Sequence, residues 1–187
     1  MQPSEKRIEQ LTEKTKRTTI ILQKDERKFI DFILNENKES GIKQLFSKML
    51  GIYRKMMIYD WRFPGEYYCG ISRVALVNVE ILNILLQNMP KEKCHDTGKK
   101  IGAVLKISME TTIGVDASKQ ENWEAVFERL SIQGFGHFSL KDKYLLIKVP
   151  FLNDTLFWEG LLNGLFDVKM ETKNSVAPFV FEIKPSI

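Results

Sequence analysis

The chain has 187 residues, 43% of them hydrophobic, 11% aromatic and 28% charged, with a net charge of +4. That balance excludes a disordered chain and provides enough apolar side chains for one ordinary domain, or a small domain joined to a medium one. Only two cysteines (Cys69 and Cys94), no apolar run near the ~18 residues of a bilayer span, and an N-terminus without an apolar signal core predict a soluble, cytoplasmic protein with no disulfide framework.

The charge is uneven along the chain. Residues 1–62 hold 14 Lys and Arg against 9 Asp and Glu, whereas residues 63–187 hold 14 against 15. All the positive excess lies in the first third, which points to a polyanionic partner there. Residues 1–15 are charged and carry few aliphatics, so they read as a flexible arm. Lys16–Gln23 ("KRTTIILQ") is β-prone. Strand alternation sets Thr18, Ile20 and Leu22 on one face and Arg17, Thr19 and Ile21 on the other.

A helix is predicted from about Lys24 or Asp25, with Phe29, Ile30, Phe32, Ile33 and Leu34 as its apolar stripe. "NENKESG" ends it, and Ser40 is a candidate N-cap for a second helix. There Ile42, Leu45, Phe46, Met49, Leu50, Tyr53, Met56 and Met57 describe one face, opposite Lys43, Lys48, Arg54 and Lys55. A lone strand and two helices cannot bury this much apolar surface, but two interlocked copies can.

The pieces "KRTTIIL", "DERKFIDFIL" and "SGIKQLFSKML" resemble, in order and spacing, the ribbon-helix-helix family of DNA-binding proteins. The resemblance covers roughly residues 15–58. It implies an intertwined homodimer whose paired strands enter the major groove of double-stranded DNA. By position, Arg17, Thr19 and Ile21 would contact bases. Lys16, Ser40, Gly41, Ile42 and Lys43 would contact phosphate, the last four around a helix N-terminus. Two departures stand out: Ile21 replaces a usual polar reader, and the turn lacks the family's commoner signature. A plainer alternative makes Thr18–Leu22 an ordinary strand of one larger α/β domain, with the lysines as a solvated surface.

Residues 59–70 read as an aromatic connector broken at Pro64-Gly65. A helix is predicted over Ser72–Asn88, and another from Asp96 or Thr97, whose Gly98 and Gly102 permit close packing. Ser118 and Glu121 suggest a capping box for a third. "HFSL" and "KYLLIKV" flank "KDK" as a hairpin, Asn153 or Asp154 starts a helix, and "DVKMET" with "APFVFEIK" makes a second hairpin.

The fold class is therefore α+β: a β-α-α module at 16–58, a connector at 59–70, and an α-α-α-ββ-α-ββ domain at 71–187. In element order, and in the pieces "SIQGFGHFSLKDKYLLIKVPF", "FWEGLLNGLFDV" and "APFVFEIK", that domain resembles the 4-vinyl-reductase type of small-molecule-binding domain. The resemblance implies an apolar cavity for a hydrophobic small molecule. The cysteines that hold a metal in many relatives are missing from the final hairpin, so no metal is expected there.

Little else carries chemistry. Cys94, His95 and Asp96 adjoin but lack a second ligand cluster. His137 and Glu159 have no catalytic partner in sequence. Phosphate-loop, dinucleotide and serine-elbow motifs are absent. The sequence thus predicts a homodimeric transcriptional regulator without enzymatic activity, cofactor, metal or membrane partner. The competing readings are a dimeric interaction or assembly protein that never meets DNA, and a small-molecule enzyme built on Glu159 or His137.

Overall fold

The computed structural model describes residues 19–62, 65–69 and 72–184. They fall into two compact units, divided after Lys48. Helix α1 spans Lys24–Asn35 and α2 spans Ile42–Lys55. The cap of α1 falls at Gln23, just before the predicted start, because the Gln23 N–H donates to the Glu26 carboxylate at 2.7 Å. Helix α2 begins one residue after the expected cap would allow. The Gly41 carbonyl accepts from the Leu45 N–H, so Gly41 rather than Ser40 holds the cap position. Thr19–Gln23 pairs with no strand among the described residues and is extended at Gln23. Lys16, Arg17 and Thr18 lie outside the described residues, as does the predicted arm.

The unit after Lys48 is mixed helix and strand. Past the end of α2, a 3-10 turn at Ile58–Asp60 leads to β1 (Tyr67–Cys69) and β2 (Ser72–Val74), an antiparallel pair in which Tyr67 faces Val74. The expected helix start at Ser72 is therefore corrected. The pairing takes Ser72–Val74 as strand, and α3 (Val79–Gln87) begins only where the Asn78 side chain accepts from the Glu80 N–H.

Helix α4 runs over Lys91–Ile113 from a cap at Pro90, so the expected start at Asp96 or Thr97 is also too late. Cys94, His95 and Asp96 are helical. At Asp116 the carboxylate accepts both the N–H and the hydroxyl of Ser118, at 3.0 and 2.6 Å. These bonds hold the Asp116 carboxyl below the ordinary carboxylate range and remove Ser118 from capping. The chain instead passes a 3-10 turn at Gln120–Asn122 into α5 (Trp123–Ile132).

Strands β3 (His137–Lys141) and β4 (Tyr144–Lys148) follow, turning through Asp142 in the left-handed region. Next come α6 (Thr155–Phe166), β5 (Met170–Asn174) and β6 (Phe179–Ile183). From α3 onward the succession is three helices, a hairpin, a helix and a hairpin. The sheet is antiparallel in the order β3-β4-β6-β5, with Leu145 opposite Phe181 and Ile147 opposite Phe179. These four side chains are buried on one face.

Helix α6 is the centre of this unit. Asp154 caps it by accepting from the Phe157 N–H at 2.7 Å. Its sequence, TLFWEGLLNGLF, is mostly apolar, as suits a helix buried over most of its surface. Trp158, Leu161, Leu162, Leu165 and Phe166 are fully buried. Its glycines interlock with those of α4. A Cβ at Gly98 would lie 2.1 Å from the Phe157 carbonyl oxygen, and one at Gly102 would lie 2.2 Å from that of Leu161. In return, a Cβ at Gly160 would lie 2.0 Å from the His95 carbonyl oxygen, and one at Gly164 would lie 2.1 Å from that of Lys99. Two glycines four apart on each helix thus let the backbones touch.

Candidate functional site

Two regions carry features that a packed core alone does not require. The first is the α1–α2 region. Thr19, Ile20 and Ile21 are exposed, Ile21 at 89%. Ser40 and Lys43 are also exposed, and Ile42 stands at the open first turn of α2, where backbone N–H groups have no partner within the helix. The structure thus brings Ser40, Gly41, Ile42 and Lys43 together at one helix start. The predicted apolar stripes are largely uncovered: Phe29 is 63% and Phe32 47% exposed on α1, and Ile42, Met49, Leu50 and Tyr53 are exposed along α2. Only Ile30 and Leu45 are buried on these two helices. Among the described residues, most of the face that sequence spacing marks as core is left exposed.

The second region lies in the unit after Lys48, where two apolar cavities flank α4. One, of about 300 Å³, is lined chiefly by Met56, Trp61, Leu76, Val104, Leu105 and Phe135. The other, of about 330 Å³, is lined chiefly by Leu82, Leu85, Met89, Ile101, Phe151 and again Phe135. Phe135 stands in the "GFG" of residues 134–136. Gly134 and Gly136 both have positive φ (86° and 140°), and a Cβ at Gly136 would meet the Lys148 carbonyl oxygen at 3.0 Å. The glycines therefore fold the chain tightly against β4 and leave Phe135 packed on Phe151, with ring centres 4.6 Å apart. Sequence reading marked this stretch as a helix end and did not find the cavity wall.

It also missed Arg129. This buried guanidinium, on α5, donates from Nη1 to the Lys55 carbonyl oxygen at 2.7 Å and from Nη2 to the Met57 sulfur at 3.9 Å. It therefore holds the C-terminal end of α2, where positive charge is favoured by the helix dipole. Lys55 in turn pairs with Glu128 at 3.1 Å. Nothing in local sequence foretells a contact between residues 74 apart.

The remaining sequence candidates occupy structural positions. Cys94 is buried, with its thiol toward the Pro90 carbonyl, and burial pushes its pKa up. The His95 ring lies 3.4 Å from Asn163. His137 is an exposed residue at the start of β3. Glu159 is half-buried and accepts from the Thr172 N–H and hydroxyl at 2.9 and 2.8 Å, tying α6 to β5. Among the described residues, no group of three or more His, Cys, Asp or Glu side chains is placed to hold a metal. On the outer sheet face Glu182 takes Lys143, Lys173 and Lys184 at 2.6–2.8 Å, which hold its carboxyl far below the ordinary range.

Comparison with protein-family models, curated proteins and solved structures finds no match. No helix among the described residues is long and apolar enough to cross a membrane.

Proposed function

We propose that this protein is a homodimeric, DNA-binding transcriptional regulator whose C-terminal domain senses a hydrophobic small molecule. The observation that carries the reading is the uncovered apolar face of α1 and α2, next to a segment, Thr19–Gln23, with no ladder partner among the described residues. A second copy satisfies both needs at once. Its Lys16–Gln23 segment would supply the missing strand, and its helices would cover Phe29, Phe32, Met49 and Leu50.

In that dimer Arg17, Thr19 and Ile21 would face base edges, with Ile21 suited to a thymine methyl. Lys16, Ser40, Gly41, Ile42 and Lys43 would hold phosphate. The basic excess of residues 1–62 supports a polyanionic partner there. The two apolar cavities support the sensing role of a domain of the 4-vinyl-reductase type.

The test is a gel-shift titration of the full chain against salt. A regulator making several phosphate contacts loses affinity steeply as salt rises. Substituting Arg17 and Thr19 together by Ala should abolish sequence preference while sedimentation still reports a dimer. A dimer without DNA affinity at moderate salt would identify the protein instead as an interaction or assembly module, which the same uncovered face also suits.

A further inference from the structure

We infer that the cavity beside the end of α2 receives a compact, uncharged, largely apolar molecule, and that its occupant fixes the C-terminal end of α2. The coupling concerns the unit after Lys48 alone; its consequence for DNA rests on the function proposed above.

The lining sets the class of ligand. Met56, Trp61, Val74, Leu76, Val104 and Phe135 present largely apolar surface, and Ser108 and Gln133 add polar groups to the wall. Among the described residues no ionisable side chain borders the space, which favours an uncharged ligand over one that would have to be desolvated without a counter-charge. A volume of about 300 Å³ suits a molecule of two or three rings.

The wall residues set the coupling. Helix α2 ends at Lys55, and the next residue, Met56, is part of the cavity wall. Its neighbours on both sides are held by one side chain, since Arg129 binds the Lys55 carbonyl and the Met57 sulfur. Met57 itself sits in the left-handed region at φ 56°, where it turns the chain into the 3-10 segment before Trp61. Trp61 is a second wall residue, and its indole N–H donates to the Tyr68 carbonyl at 2.8 Å. Met56 therefore cannot leave the wall without disturbing the bonds that close the helix.

A molecule that packs against Met56 and Trp61 binds the closed arrangement better than an open one, and shifts the population by that difference. The helix so fixed is 14 residues long and begins at Ile42, one of the proposed phosphate contacts. Among the described residues, the neighbouring cavity has no wall residue from α2 or from the segment that follows it.

The experiment uses the full chain without DNA. N-phenyl-1-naphthylamine, a neutral two-aromatic dye, is titrated by fluorescence, and amide hydrogen exchange is read by mass spectrometry for the peptide ending α2. Wild type should bind the dye and slow exchange at residues 55–57 by about tenfold. Val104→Trp and Ala75→Phe, which fill the cavity from different walls, should each lose dye binding while thermal melting confirms the fold. Leu85→Trp, in the other cavity, should keep both responses. Arg129→Met should bind dye yet exchange rapidly at 55–57 with or without it. Absence of dye binding to wild type, dye binding that survives both Val104→Trp and Ala75→Phe, or bound dye with unchanged exchange at 55–57 would overturn the inference. Loss of DNA binding in the salt titration would leave these readings intact, so the two failures are separable.

Discussion

Helices α1 and α6 are both 12 residues long, and their burial is opposite. Helix α6 buries eight of its side chains and backbone positions, whereas α1 buries Ile30 alone. The difference is not one of hydrophobic content alone, since Phe29 and Phe32 are as apolar as the phenylalanines of α6. The difference lies in cover: α6 has a helix on one side and a sheet on the other, while the stripe of α1 faces solvent. Burial of a Phe or Leu side chain is worth about 1.5–3 kcal/mol. The α1–α2 region leaves several such contributions unrealised, and that is the physical argument for a partner.

The sharpest way to break the contrast is to destroy the cover of α6. Gly160→Ala places a methyl against the His95 carbonyl and should cost about 3 kcal/mol or more, read by thermal or urea unfolding. If it melts like wild type, α4 and α6 do not touch as described.

Next in size, Phe29→Ser should leave the unit after Lys48 intact and weaken dimerisation by about 2 kcal/mol, read by sedimentation at several concentrations. An unchanged oligomeric state would mean that the α1 stripe has no partner copy. Arg129→Met should then cost about 1.5 kcal/mol by releasing the Lys55 carbonyl, seen as a lower urea midpoint with unchanged slope.

The smallest effect concerns pH. Glu182 has its carboxyl depressed below its ordinary 4.5, so its contribution is present above about pH 4.5 and fades as pH falls through the lower folded value. Lys143 and Lys184 are raised above 10.5 by the same carboxylate, so their share holds below about pH 10.5 and fades as pH climbs beyond it. Glu182→Gln should flatten both limbs of the stability profile.

Local signals carried much of this fold into view. The "KDK" turn, the Asp154 cap and the alternation of Leu145 and Ile147 all act within a few residues, and each element they predicted is present. Errors arose where two local signals competed. Ser118 and Glu121 had the spacing of a capping box, but Asp116 engaged Ser118 first. Pro90 started α4 earlier than Asp96 or Thr97 suggested. Ser72–Val74 was taken into a hairpin before the helix could include it. The spacing of Gly98 and Gly102 announced close packing, but not that Gly160 and Gly164 would answer it. Sites built from distant residues were the least legible. Arg129 and Lys55 meet only because α5 lies against the end of α2, and the cavity walls come from the α2 end, the β1–β2 segment, α4 and the loop before β3.

One ring, that of Phe135, borders both hollows beside α4. A swing of its side chain would therefore reshape the two spaces together. A guest in either hollow would press on the same movable wall.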